Sequence, residues 1–228
     1  MREFAIIDVE QGSPEWHLAR CGDLTGSAAP SVYAERKRGT GELAERATLR
    51  LKIVSERLTG VPDVDTYKSP WMERGTEMQP VAIDAYERAT GCFVQSSGYL
   101  KHTTLRAGCS LDGHIGDFEG IVEFKCPKSV THVQYLRAGT VPEDYVAQVL
   151  HNLWISGAAW CDFVCFDDRF LDERLRLFRV RVERNEKEIA GYASKALAFL
   201  EEVEREVEAL KTMANISAVL REAVPLNG

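Results

Sequence analysis

Asp112, Glu123 and Lys125 are the residues of this 228-residue chain whose types and spacing point most directly to chemistry. The second and third lie in the run Gly120-Ile121-Val122-Glu123-Phe124-Lys125-Cys126-Pro127, which reads as a β-strand. Successive side chains of a strand face opposite ways, so Ile121, Glu123 and Lys125 share one face and Val122, Phe124 and Cys126 the other. The second face reads as core. The first carries an anion and a cation two positions apart, an arrangement costly to bury unless the charges serve each other or a metal.

Asp112 must join them from a neighbouring element. Gly113, Gly116, Asp117 and Gly120 are turn formers, and they predict that Leu105–Leu111 folds back as a hairpin against Ile121–Cys126. Asp112 then sits at a strand end beside Glu123. Two carboxylates at close range repel unless a proton or a divalent cation lies between them, and hard oxygen ligands suit magnesium. On spacing alone the competing reading is a solvated ion pair, because an acid, ten intervening residues, a second acid and a lysine arise by chance in many chains.

The elements that must hold these residues are legible in outline. Ser13-Pro14 is a helix start, serine as N-cap and proline in the first turn, which predicts a helix over Pro14–Cys21 ended by Gly22. Apolar residues at helical spacing predict a helix over Gly41–Leu58, stopped by Gly60 and Pro62. Another is expected over Trp71–Thr90, with a kink or restart at Pro80. A loop is expected after Cys126, then a helix over Pro142–Ile155 that places Tyr145, Gln148 and either His151 or Asn152 on one face. Trp160–Phe166 and Leu175–Val182 read as strands, and Lys187–Met213 as a long amphipathic helix. The order predicts an α/β sheet with helical cover, in a single domain.

Composition agrees with an ordinary globular enzyme: 45% hydrophobic and 28% charged residues. No apolar run approaches a membrane span and no signal peptide is evident, so a cytoplasmic protein is expected. The six cysteines include no C-x2-C pair and read as reduced core residues. Net charge is 28 minus 35, or −7. A nucleic-acid partner then needs a local basic surface, for which Arg36-Lys37-Arg38 is the candidate; a solvated loop is the plainer reading of that run.

The acid–acid–lysine pattern resembles the PD-(D/E)xK nuclease signature, with Leu111-Asp112 where the family has Pro-Asp. Further segments narrow the resemblance: Glu15-Trp16-His17-Leu18-Ala19-Arg20 with Thr25-Gly26-Ser27, Arg74-Gly75-Thr76-Glu77-Met78-Gln79-Pro80, Cys109-Ser110-Leu111-Asp112-Gly113, Glu123-Phe124-Lys125-Cys126-Pro127 and Ala147-Gln148-Val149. Together, in order from about Gln11 to Trp154, they resemble phage lambda-type exonuclease, the alkaline exonuclease of viral recombination systems.

That resemblance implies a restriction-endonuclease-like α/β fold, a central mixed sheet flanked by helices, and a 5′-to-3′ exonuclease that degrades one strand of linear double-stranded DNA to 5′-mononucleotides, leaving 3′ overhangs. It implies magnesium, with manganese as a substitute, held by Asp112, Glu123 and the carbonyl of Phe124. Lys125 would position the attacking water and Gln148 would contribute from the crossover helix. Arg20, Ser27 and Ser110 would hold the 5′-phosphate of the DNA end, a guanidinium with hydroxyls suiting a dianion. The implied partners are double-stranded DNA ends, a single-strand annealing protein and two further copies in a ring-shaped homotrimer.

One departure concerns Gln79, which occupies a position where the family places a glutamate. Glu77, two residues earlier, lies about 200° around a regular helix and is a weaker candidate. Two alternatives stay open: an endonuclease of the same fold, and a non-catalytic DNA-binding subunit with a degenerate site.

Overall fold

The computed structural model describes residues 2–34, 41–64 and 69–222, and within them the strands form two four-stranded mixed sheets. The first has the order β1 (Phe4–Ile7), β3 (Tyr99–His102), β4 (Ala107–Cys109), β2 (Leu24–Thr25). The second has the order β5 (Gly113–Ile115), β6 (Gly120–Lys125), β7 (Trp160–Phe166), β8 (Leu177–Glu183). The pairs β6–β7 and β2–β4 are parallel; the others are antiparallel. The expected mixed α/β architecture with helical cover is what the chain forms.

Parallel pairing of β6 with β7 requires a crossover, because neighbouring parallel strands cannot be joined by a tight turn. The crossover consists of α5 (Ser129–Ala138) and α6 (Glu143–Ser156). α5 occupies the stretch expected to be a loop; its hydrophobic pattern is weak, and only His132 on it is buried. β1, β3 and the short helix α2 (Ala29–Tyr33) also lie outside the sequence expectations.

The helix starts and stops follow capping chemistry. α1 spans Pro14–Ala19, and the Ser13 hydroxyl accepts the Trp16 N–H as its N-cap. α3 (Ala44–Thr59), α4 (Pro70–Thr90) and α6 each end on a glycine with positive φ, at Gly60, Gly91 and Gly157. α4 runs through Pro80 as one helix, without the restart that was one of the two expectations there. The last helix, α7, extends over Glu186–Glu222, beyond the expected end at Met213.

The predicted hairpin is corrected. The strand that folds back on β6 is β5, with Gly113 opposite Val122 and Ile115 opposite Gly120. The segment Leu105–Leu111 supplies β4, which pairs with β3 in the other sheet. The glycines expected to share one turn have separate duties. Gly113 is a strand residue at a close approach, where a Cβ would lie 2.2 Å from the Val94 side chain, and Gly116, at φ +58°, makes the turn.

Both faces of β6 are covered. Val122 and Phe124 pack with Ala82 and Tyr86 of α4 and with Val164 and Phe166 of β7, which is the core face anticipated. Ile121, on the other face, joins a larger core with α6 and α7. Chemistry on that face is therefore confined to Glu123 and Lys125. β7 reads as a nearly continuous apolar run, as a central strand covered on both sides should. Its one acid, Asp162, is buried and held by Arg179, Arg181 and the Tyr86 hydroxyl.

Cys109, Cys161 and Cys165 are buried, and all six cysteines are free thiols. Among the described residues no helix is long and apolar enough to cross a membrane. Arg36-Lys37-Arg38 lies outside the described residues.

The β6–β7 register depends on Gly120, where a Cβ would stand 2.2 Å from the Trp160 ring. Gly120→Ala is expected to destabilise the fold by ~1–3 kcal/mol through overpacking, read as a lower midpoint in urea denaturation.

Candidate active site

Glu123 is 3% exposed, and a carboxylate so placed needs donors. Three converge on it. Lys125 reaches Oε1 at 2.6 Å from two positions along β6, and the Gln148 amide donates to the same oxygen at 2.6 Å. The Asn152 amide donates to Oε2 at 3.1 Å. Gln148 and Asn152 are one turn apart on α6, so the helix presents both to the strand. The sequence left His151 and Asn152 as alternatives for that face; the structure selects Asn152.

Asp112 lies between β4 and β5, and its Oδ2 accepts the backbone N–H of Phe124 at 2.8 Å. Gln79, on α4, also hydrogen-bonds the Asp112 side chain. Glu77 is exposed on another side of that helix. Asp112, Glu123, Lys125, Gln148 and Gln79 are thus gathered around the end of β6, with Phe124 between the two charged residues of the strand.

Burial, and secondarily the charge of Glu123, push the Asp112 carboxyl up to about 7, while Lys125, the Phe124 N–H and Gln79 pull it back. Burial opposes the charge of Lys125, but the two carboxylates more than offset this and raise its pKa above the ordinary lysine value. The ammonium also lies 4.7 Å from the centre of the Tyr145 ring. The carboxylates of buried Glu123 and half-buried Asp112, which repel each other, are hard oxygen donors that fit magnesium or manganese. Among the described residues no three His, Cys, Asp or Glu side chains gather to hold a metal.

A second group lies beside the first. The Arg20 guanidinium is stacked 4.0 Å from the Trp16 ring and donates to the hydroxyls of Thr25 and Ser27 at 3.1 and 3.4 Å. Trp16 in turn donates its indole N–H to the Ser110 hydroxyl at 2.7 Å. Since a hydroxyl has one proton, Ser110 keeps it to donate elsewhere. Arg20 and Ser27 line a cavity of about 270 Å³ together with Trp16 and Thr25, and Ser110 is linked to it through the Trp16 indole. Burial lowers the Arg20 pKa. Two of the acids at the cavity are already engaged: Asp23 by Lys101 and Arg106, and Glu56 by the N–H groups of Gly22 and Asp63.

Sequence reasoning did not assign Trp16, Thr25 or Asn152 to the site. The signal for Asn152 was its spacing of four from Gln148. Trp16 and Thr25 sit in the same short segments as Arg20 and Ser27, but nothing in one sequence distinguishes a pocket wall from a core residue.

The sequence pattern of the YqaJ-like viral recombinase domain matches residues 15–159, the span that contains every residue of both groups. The chain belongs to that family. Among solved structures, the alkaline exonuclease LHK-Exo from Laribacter hongkongensis is 34% identical, with a TM-score of 0.78 over 89% of this chain and 98% of that one. LHK-Exo in complex with dAMP gives the same identity and coverage with a TM-score of 0.80. A phage-related exonuclease from Haemophilus somnus 129PT, 12% identical, shares the fold with a TM-score of 0.61 over 82% of this chain and 96% of that one. None of the curated proteins matches the sequence.

Within this recombinase-family domain, His151 ties α6, the helix of Gln148 and Asn152, to β4 and α7. It is fully buried, with Nε2 on the Gly108 carbonyl at 3.0 Å and Nδ1 on the Tyr192 hydroxyl at 2.7 Å. The carbonyl can only accept, so Nε2 carries the proton and Nδ1 accepts from Tyr192. Burial lowers its pKa to about 4, below the ordinary 6.5. The unfolded chain takes up this proton first, so the neutral ring's contribution is complete above about pH 6.5 and is lost as pH falls toward 4. His151→Gln is expected to flatten the pH dependence of unfolding free energy across that window, measured by denaturant titration at a series of pH values.

Proposed function

We propose that this protein is a magnesium-dependent exonuclease that degrades one strand of linear double-stranded DNA from its 5′ end, releasing 5′-mononucleotides and leaving 3′ single-stranded overhangs for strand annealing. The observation that carries this reading is the meeting of Asp112, Glu123 and Lys125 at the end of β6, with Asp112 two residues in sequence from Ser110, which hydrogen-bonds Trp16 of the Arg20 pocket. The LHK-Exo complex supports it, since a relative 34% identical binds dAMP.

In this reading Asp112, Glu123 and the Phe124 carbonyl hold the divalent cation. When bound, magnesium supplies Lewis-acid stabilisation of the charge that develops on the phosphoryl and leaving oxygens. Lys125 orients the attacking water in line with the scissile P–O3′ bond; the water oxygen bonds to phosphorus and the 3′ oxygen departs with a proton. Gln148 and Asn152 keep both oxygens of Glu123 directed. Arg20, Ser27 and Ser110 take the 5′-phosphate, which sets the distance from the chain end to the bond that breaks. Gln79 donates to Asp112 without adding charge, so a second cation would be held weakly.

Three copies closed into a ring around DNA, together with a single-strand annealing protein, complete the proposal. Topological retention would replace tight electrostatic binding and accommodate a chain of net charge −7.

Release of acid-soluble nucleotides is expected from 5′-phosphorylated linear duplex with magnesium, and from neither a chelated reaction nor a covalently closed circle. Lys125→Ala should abolish release while the protein stays folded. Cutting of the circle would instead indicate an endonuclease, and no cutting of either substrate a non-catalytic subunit. Arg20→Ala should lower digestion of 5′-phosphorylated ends by roughly tenfold or more, the scale of a lost charge-assisted hydrogen bond, with manganese affinity unchanged by calorimetry.

A further inference from the structure

Asn152 has a feature that packing does not account for. It is 1% exposed, its Nδ2 donates to Glu123 Oε2 at 3.1 Å, and its Oδ1 is buried without a hydrogen-bond partner. Turning the amide over would set its oxygen against the carboxylate, so the charge of Glu123 fixes the orientation. A buried acceptor left unsatisfied is costly, and an apolar side chain would fill the space without that cost.

The unpartnered oxygen faces Gly26. A Cβ at residue 26 would lie 2.3 Å from Asn152 Oδ1, closer than atoms can approach. Gly26 stands between Thr25 and Ser27, the two residues whose hydroxyls hold the Arg20 guanidinium. One buried side chain therefore spans from the wall of the Arg20 pocket to the carboxylate on β6.

We propose that Asn152 is a positioning residue for Glu123 and that the missing side chain at Gly26 is its seat. Asn152 touches no reacting atom; it holds Oε2 while Gln148 and Lys125 hold Oε1, which leaves Glu123 a single orientation toward a cation. Gly26 is required because Asn152 reaches Glu123 only when its far end occupies the space a Cβ would take. This inference rests on the proposed function in treating Glu123 as a cation ligand.

The test compares wild type, Asn152→Ala, Gly26→Ala and the double variant. Manganese affinity is measured by calorimetry, kcat and KM on 5′-phosphorylated linear duplex, and folding by thermal melting. Each single variant is expected to weaken manganese binding roughly tenfold, the scale of one hydrogen bond to a charged group, and to lower kcat similarly with KM for DNA within about twofold of wild type. The double variant should be no worse than Asn152→Ala, because an alanine at 152 leaves nothing for the residue 26 methyl to strike. Asn152→Ser, too short to reach Glu123 but still polar, should repeat the result with less disturbance of the core.

A folded Asn152→Ala or Asn152→Ser with wild-type manganese affinity and kcat would overturn the proposal, as would losses that multiply in the double variant. If wild type binds no manganese and degrades no DNA, the proposed function falls and this inference with it. If wild type does both and the variants are unaffected, the inference falls alone.

Discussion

The site is organised around the cost of burying Glu123. Taking a carboxylate out of water costs several kcal/mol unless donors replace the lost hydration, and this side chain is 3% exposed in a strand covered on both faces. Its donors come from Lys125 on the same strand and from Gln148 and Asn152 on the crossover helix. The parallel β6–β7 pair makes that helix necessary. The charge and the topology thus support each other: the crossover required by the sheet delivers the amides required by the acid.

A second constraint sits on the opposite side. Asp112 is held at the site by the backbone N–H of Phe124, which donates to its carboxylate rather than to a strand carbonyl. The same residue, through its ring, packs edge-on against Tyr86 of α4, the helix that also carries Gln79. Phe124 therefore joins core and site in one residue: its side chain anchors β6 to the helix, and its backbone holds the acid. The Arg20 pocket is joined to this assembly through Ser110, two residues before Asp112, and through the contact between Gly26 and Asn152. Neither group of residues can shift far without moving the other.

The legible part of the fold was the part governed by local rules. Ser13, Gly60, Gly91 and Gly157 marked helix ends because caps answer to the few residues around them. β7 was plain from its nearly continuous run of apolar residues. α5 was not, since its apolar pattern is weak and its place is set by the crossover it completes. The hairpin was misassigned for a related reason. Gly113, Gly116 and Gly120 look alike in sequence, but one lies against Val94, one turns the chain, and one lies against the Trp160 ring. Those neighbours are distant in sequence and have no local signature.

The sequence alone determined that Glu123 and Lys125 share a strand face and that Gln148 belongs to a helix, because strand and helix periodicity are properties of short segments. Only the tertiary structure decided that Asp112 is held by Phe124 and that Asn152 rather than His151 faces Glu123. It also decided that Trp16 and Thr25 complete the Arg20 pocket. These outcomes depend on which surfaces meet when the sheets and α6 pack, and side chains at three- and four-residue spacings remain equivalent until a neighbour distinguishes them.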